Sequence, residues 1–225
     1  MGFEDHIQEL TDLIESNQLI EVSLVKAGLY AERAYYYRLQ GQYDLAEQDS
    51  TSASALVPDD ANNFFNRAHA RRMQGKHELA IMDLTKSIEL TDDVDIILKA
   101  LKLRIGSYEK LKRYDQAFKE INHIIEIQPD DLETRLRRGY RLLNRGRLDE
   151  TWLEIQHILS IDENYDLAKL LKVKYWLITQ EYDKAEELMH SLLKSYRANQ
   201  AYVDYQKQYW IEARQRQGKD TTPDW

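Results

Sequence analysis

The chain contains no cysteine, which excludes disulfides, thiolate catalysis and sulfur-ligated metals. Proline and glycine are scarce, at 3 and 8 copies in 225 residues. With Leu, Ala, Glu, Lys, Arg and Gln dominant, this is the palette of an all-helical protein. No apolar run approaches the roughly 20 residues needed to span a bilayer, so no membrane insertion is expected. The start, Met1-Gly2-Phe3-Glu4-Asp5-His6, has acid where a secretory signal would have lysine and then an apolar block. It also lacks the Ser or Thr of a myristoylation motif, and a cytoplasmic location is expected.

Net charge is −8, and it is uneven. Residues 1–60 hold 3 basic against 12 acidic side chains, residues 61–165 hold 18 of each, and residues 166–225 hold 10 against 9. A nucleic-acid binder needs a basic stripe and usually a basic domain, and a pI near 5.3 argues against one.

Reactive constellations are missing as well. His77-Glu78 begins like a zinc-protease motif, but residue 81 is Ile where the second His belongs. His6, His69, His123, His157 and His190 do not pair at metal-ligand spacing. There is no Gly-rich phosphate loop and no nucleophile elbow. The acidic pairs at 59–60, 92–93 and 130–131 read as solvated turn acids rather than calcium ligands. The expectation is a protein without catalysis, cofactor or metal.

What the chain does have is a repeat. An aromatic-acidic-any-small tetrapeptide occurs as Tyr43-Asp44-Leu45-Ala46, His77-Glu78-Leu79-Ala80 and Tyr114-Asp115-Gln116-Ala117. It continues as Leu148-Asp149-Glu150-Thr151 and Tyr182-Asp183-Lys184-Ala185. The acidic residues step by 34, 37, 34 and 34 positions. A period of that size means one supersecondary unit copied and stacked.

Each copy reads as two helices. In residues 27–60, Tyr30, Ala34 and Tyr37 fall on one face of a helix over 27–40. Gly41 stops it, since glycine accepts a left-handed conformation. Asp44 is then placed to accept from the free N–H groups of a second helix, which Pro58 closes. Gly75 and Gly146 occupy the same turn, and Pro129 repeats Pro58. Ala46, Ala80, Ala117 and Ala185 stand where the paired helices cross, whereas Glu47 and Lys119 read as exposed.

These features resemble the tetratricopeptide repeat family. The match runs through Tyr30, Ala34, Tyr37, Tyr43, Ala46, Ala53 and Pro58 in 27–60, then Phe64, Ala68, Ala80 and Ser87 in 61–94. It continues with Tyr108, Tyr114, Ala117 and Pro129 in 95–131, Gly139, Gly146 and Thr151 in 132–165, and Trp176, Tyr182 and Ala185 in 166–199. The resemblance implies an all-α fold, a right-handed α-α superhelix of five helix-turn-helix repeats over 27–199. Residues 1–26 are expected to form an N-terminal flanking helical segment. Residues 200–217 would supply a C-terminal capping helix, and 218–225 a disordered tail. Residues 18–26 suit either an extension of the first repeat helix or a degenerate extra unit.

The resemblance also implies that the first helix of each unit lines a concave face. Candidate peptide-binding residues there are Tyr35, Phe65, Asn66, His69, Arg72, Lys99, Lys102, Arg137 and Tyr140. Basic heads with aromatic faces between them suit an acidic peptide or a terminal carboxylate. Some family members hold a partner's carboxylates with a five-residue clamp. Only Asn66 and Lys99 match it, while Ala31, Tyr35 and Leu103 take the other places. The expected function is a non-catalytic protein–protein interaction module that binds a protein or peptide, acidic in character, in that groove. The alternative is a self-associating or assembly-chaperone scaffold, a homo-oligomer included. It would act through the apolar last repeat (Leu167, Leu170, Leu171, Leu177, Ile178) or the acidic N-terminal flank.

Overall fold

The computed structural model describes residues 2–15 and 23–195, with side chains through 192, and single positions at 211, 215 and 218. Among the described residues there are eleven α-helices and no strand. They are α1 (Phe3–Glu15), α2 (Ser23–Leu39), α3 (Tyr43–Leu56), α4 (Ala61–Met73), α5 (His77–Glu89) and α6 (Val94–Lys110). They continue as α7 (Tyr114–Ile127), α8 (Leu132–Asn144), α9 (Leu148–Ile161), α10 (Asp166–Ile178) and α11 (Tyr182–Ser195). Residues 23–26 belong to α2. Apart from those single positions, the expected capping helix over 200–217 and the tail after it lie outside the described residues. Two compact units divide the chain, Met1–Ile124 and Ile125–Trp225.

One turn design is used in every hairpin. Gly41, Gly75 and Gly146 have φ of 75°, 78° and 70°, and the backbone N–H one residue later donates back five positions. These bonds are Gln42 to Tyr37 at 2.8 Å, Lys76 to Arg71 at 2.9 Å and Arg147 to Leu142 at 3.0 Å. This is the glycine-ended helix stop in which a left-handed residue lets the last carbonyls find donors. Lys112 (φ 58°) and Gln180 (φ 65°) make the same turn without glycine.

The helix starts correct one expectation. Gln42 and Lys76 precede α3 and α5 and make no side-chain cap, and Asp44 and Glu78 sit inside the first turn. Their carboxylates face the positive end of the helix dipole without capping it. True caps occur between hairpins instead. Asp60 accepts from the Asn62 N–H, Asp93 from Asp95 and Ile96, and Asp131 from Thr134. The second acid of each turn pair is therefore an N-cap.

In the first unit, hairpins α2–α3 and α4–α5 pack side by side, α6 follows, and α1 lies on α2 through Leu10 and Ile14. Ala46, Ala80 and Ala117 are at most 1 % exposed, so a larger side chain would push the paired backbones apart. In the second unit Leu136, Leu143, Ile155, Ile158, Ala168 and Leu171 form one apolar cluster. Leu170, Val173, Ala185, Met189 and Leu192 form another. Leu170 and Leu171, expected on an exposed apolar patch, are thus core residues, while Leu167 and Ile178 remain about half exposed.

A ladder of ion pairs runs beside the apolar core. Arg33 on α2 grips Asp49 on α3 (2.6 and 2.8 Å), and Arg67 on α4 grips Asp83 on α5 (3.0 and 2.8 Å). Arg104 on α6 donates to Glu120 on α7 at 2.7 Å, and Arg138 on α8 to Glu154 on α9 at 3.0 Å. Each pair is 16 residues apart, so every rung ties the two helices of one hairpin. The same guanidiniums reach back to a preceding hydroxyl, from Arg33 to Thr11, Arg67 to Ser54 and Arg104 to Thr85. In the fifth hairpin Lys172 stands in the arginine place and Leu188 in the acid place. There the ammonium instead lies over the rings of Trp152 (5.5 Å) and Trp176 (4.8 Å).

Candidate binding face of the first unit

Helices α2, α4 and α6 pack in sequence within the first unit and carry seven of the nine expected binding residues. Tyr35 is 44 % exposed, meets the Tyr36 ring edge-on at 5.5 Å, and lies 5.0 Å beneath the guanidinium of Arg38. His69 and Arg72 sit one helical turn apart on α4, both half-buried. Gly106 of α6 comes beside them, for a Cβ added there would lie 3.4 Å from Arg72 Nη1. The approach of α6 to the arginine is therefore close.

Among the described residues, the basic groups whose pKa is lowered gather at this spot. Burial, then the charges of Arg38 and Arg72, pushes the His69 imidazole down to about 4. Burial also lowers Arg72, with no acid to offset it. His77 at the start of α5 is lowered by burial and then by Arg72 and Lys110. Among the described residues, Arg38 Nε, His69 Nδ1, Arg72 Nε and His77 Nδ1 are all buried without a hydrogen-bond partner. By contrast, the half-buried Arg33, Arg67, Arg71, Arg104, Arg135 and Arg138 each hold a carboxylate, although Arg104 Nε is also buried without a partner. Arg71, next to Arg72, holds two, Glu47 and Asp83, at 2.8 Å each. Buried donors with no acceptor are costly, so a row of them needs a reason.

The other expected residues are placed as follows. Phe65 packs against the apolar cluster of Ala68, Ala80, Leu84 and Ala100, so much of its ring is structural. Asn66 is half-buried on α4; Lys99 is exposed and Lys102 half-buried on α6. Arg137 and Tyr140 belong to the second unit. There Arg137 lies 4.0 Å from Glu133, and Tyr140 packs on the core beneath the Lys174 ammonium at 5.1 Å. The structure thus gathers Tyr35, His69 and Arg72 around a residue absent from the expected set, Arg38. The period carried the signal, since Arg38 stands 34 positions before Arg72, as Tyr35 stands 34 before His69.

Among the described residues no group of three or more His, Cys, Asp or Glu could hold a metal ion. None of their helices is long and apolar enough to cross a membrane.

Comparison with known proteins agrees on the architecture. The tetratricopeptide repeat family profile matches residues 107–131. No curated protein sequence matches the chain. Among solved structures, a tetratricopeptide repeat protein of Parabacteroides merdae is similar at 18 % identity and a TM-score of 0.76, covering 86 % of this chain and 74 % of its own. YrrB, a repeat protein of the same class described as having an unusual peptide-binding site, is similar at 15 % identity and a TM-score of 0.64. That match covers 92 % of this chain and 98 % of YrrB. Pseudomonas aeruginosa pilF is similar at 16 % identity and a TM-score of 0.66, over 92 % and 97 % of the two chains.

Proposed function

This chain has the all-α tetratricopeptide-repeat fold, and on that premise we propose that it is a non-catalytic interaction module. The α2–α4–α6 face would receive an acidic segment of a partner protein. One observation carries the reading: among the described residues Arg38 and Arg72 lie half-buried without a carboxylate, whereas six other half-buried arginines are paired with acids. Burial and the charges of the two guanidiniums together oppose protonation of the neighbouring His69 imidazole. A partner's carboxylate would offset that positive field and satisfy buried donors in one step.

Tyr35 supplies an aromatic surface at the edge, and Lys99 and Lys102 extend the positive charge along α6. Asn66 offers an amide on the same face, and Phe65 presents the part of its ring that the core leaves open. Arg137 and Tyr140 belong to the proposal as a separate basic-aromatic pair on the second unit. The uneven charge of the chain fits such a use, since the acids of residues 1–60 disfavour a nucleic acid while the central cations favour an acidic polypeptide.

The test is binding of a fluorescent Asp/Glu-rich peptide to the intact chain and to the triple variant Arg72→Glu, Lys99→Glu, Lys102→Glu. The expected result is salt-sensitive binding that the variant loses with its helical circular dichroism unchanged. Undiminished binding by a folded variant contradicts the assignment of this face.

A further inference from the structure

We propose that Arg38, His69 and Arg72 form an oxyanion subsite that recognises a phosphorylated side chain of the partner segment. The inference rests on the α2–α4–α6 face being the binding face, and it names the chemistry read there.

The number and kind of donors favour phosphate. Two guanidiniums and one imidazole converge from two adjacent helices. Each has a buried nitrogen with no acceptor, Arg38 Nε, His69 Nδ1 and Arg72 Nε. A phosphomonoester brings three acceptor oxygens and about −1.5 to −2 charge near neutral pH, enough to answer both arginines and still engage the imidazole. A carboxylate has two oxygens and one charge. In the ladder of this protein such groups are fully used by arginines alone, as Asp83 is by Arg67 and Arg71. Guanidinium forks suit phosphate geometry, which ammonium groups match only as point charges.

The surroundings are consistent with a group that enters from outside. From α2 the charged group facing His69 is Arg38, and from its own helix it is Arg72. The place equivalent to Tyr35 and His69 on α6 is Gly106, which presents no side chain to the Arg72 head. The place equivalent to Arg38 and Arg72 is Glu109, yet no acid offsets the burial of Arg72. Beside the arginines the Lys110 ammonium extends the positive field, which together with burial holds the His77 imidazole neutral. The family's carboxylate clamp, by resemblance, would use positions 31, 35, 66, 99 and 103. This subsite, apart from its contact with Tyr35, lies a turn further along α2 and α4.

The test uses the intact chain and follows the His69 imidazole by NMR while sulfate, inorganic phosphate or acetate is added at constant ionic strength. Sulfate stays a dianion throughout the titration and separates proton uptake by His69 from titration of the probe. Expected is a saturable shift with sulfate and with phosphate, and His69 titrating nearer its ordinary range when sulfate is bound. Acetate should give at most a tenth of that affinity, about the worth of one charge-assisted hydrogen bond. Arg38→Gln and Arg72→Gln should each weaken the response about tenfold, with helicity retained because each removes a repelling charge. No saturable shift, an equal response to acetate, or indifference to both substitutions overturns the subsite.

A phosphoserine heptapeptide then separates a phosphorylated side chain from free phosphate. It should produce the same His69 shift, and its exclusion while inorganic phosphate binds refutes the assignment to a side chain. Binding of the Asp/Glu-rich peptide that Lys99→Glu weakens and Arg38→Gln does not would leave the acidic-segment reading standing and remove this one. A sulfate response in a chain that ignores the acidic peptide would do the reverse.

Discussion

Replacing Asp83 with alanine should be among the most damaging single changes to the first unit. Its carboxylate accepts from Arg67 Nε at 3.0 Å, Arg67 Nη2 at 2.8 Å and Arg71 Nη1 at 2.8 Å, and its side chain is only 5 % exposed. Removal leaves two guanidiniums with side chains 14 % and 16 % exposed facing a gap. Breaking one partner of a buried ion pair costs about 3–5 kcal/mol, because the remaining charge stays desolvated. Here Arg71 keeps Glu47 and Arg67 keeps Ser54, which puts the expected loss near the lower end, about 3 kcal/mol. The exposed pair Arg113–Glu78, with side chains 41 % and 55 % exposed, is the control. Glu78→Ala should cost at most about 1 kcal/mol. Urea unfolding followed by circular dichroism measures both. A double variant, Arg67→Met with Asp83→Leu, should recover much of the loss, since an apolar pair leaves only Arg71 to accommodate. The reasoning fails if Asp83→Ala and Glu78→Ala are indistinguishable, or if the double variant is worse than the single one.

Other consequences follow from the same geometry. Because His69 is held near 4 in the folded chain against about 6.5 unfolded, the unfolded state binds more protons between those values. Stability should therefore fall as pH drops from 6.5 toward 4, and urea midpoints of His69→Gln should fall less steeply across that window. Gly139→Ala should destabilise by about 1 kcal/mol. Its methyl would sit 2.5 Å from the buried Leu171 Cδ2, an overpacking cost of about 1–3 kcal/mol that outweighs roughly 1 kcal/mol of helix propensity. A rise in melting temperature would contradict that. Lys112→Gly and Gln180→Gly should each stabilise by about 0.5–1 kcal/mol, since both residues hold a left-handed backbone that glycine adopts without strain. Ala46→Leu should cost about 1–3 kcal/mol, as the Cβ lies at a fully closed helix crossing, and a neutral result would mean the paired helices can move apart.

The fold was legible because its signals are local and repeated. A positive-φ glycine in three turns, an alanine notch in four copies and a closing proline in two each have one physical cause, and five tetrapeptides at steps of 34, 37, 34 and 34 fix the register. The ladder was equally available yet is visible only as a second column at the same steps. Arg33, Arg67, Arg104 and Arg138 are separated by 34, 37 and 34 residues, as are Asp49, Asp83, Glu120 and Glu154. Charged residues in a 31 % charged chain read as surface, and no single copy reveals that a pair is buried. The same cause misplaced Glu47, which pattern puts in solvent and the fold puts between Arg71 and Lys76. For the proposed binding face, Tyr35, His69 and Arg72 are readable as a stripe. Which arginines lack an acid depends on contacts between hairpins, such as that from Arg71 to Glu47. Neither propensity nor period encodes those contacts.

The central claim is that Arg38 and Arg72 wait for an anion that another molecule brings. Crystals of the intact chain soaked in selenate test it most directly through the anomalous difference map. The account predicts a peak within hydrogen-bonding distance of Arg38, His69 and Arg72, and none on the acid-paired Arg33, Arg67 or Arg104. An empty map at the first site, or selenate bound to the ladder arginines in preference, would contradict it.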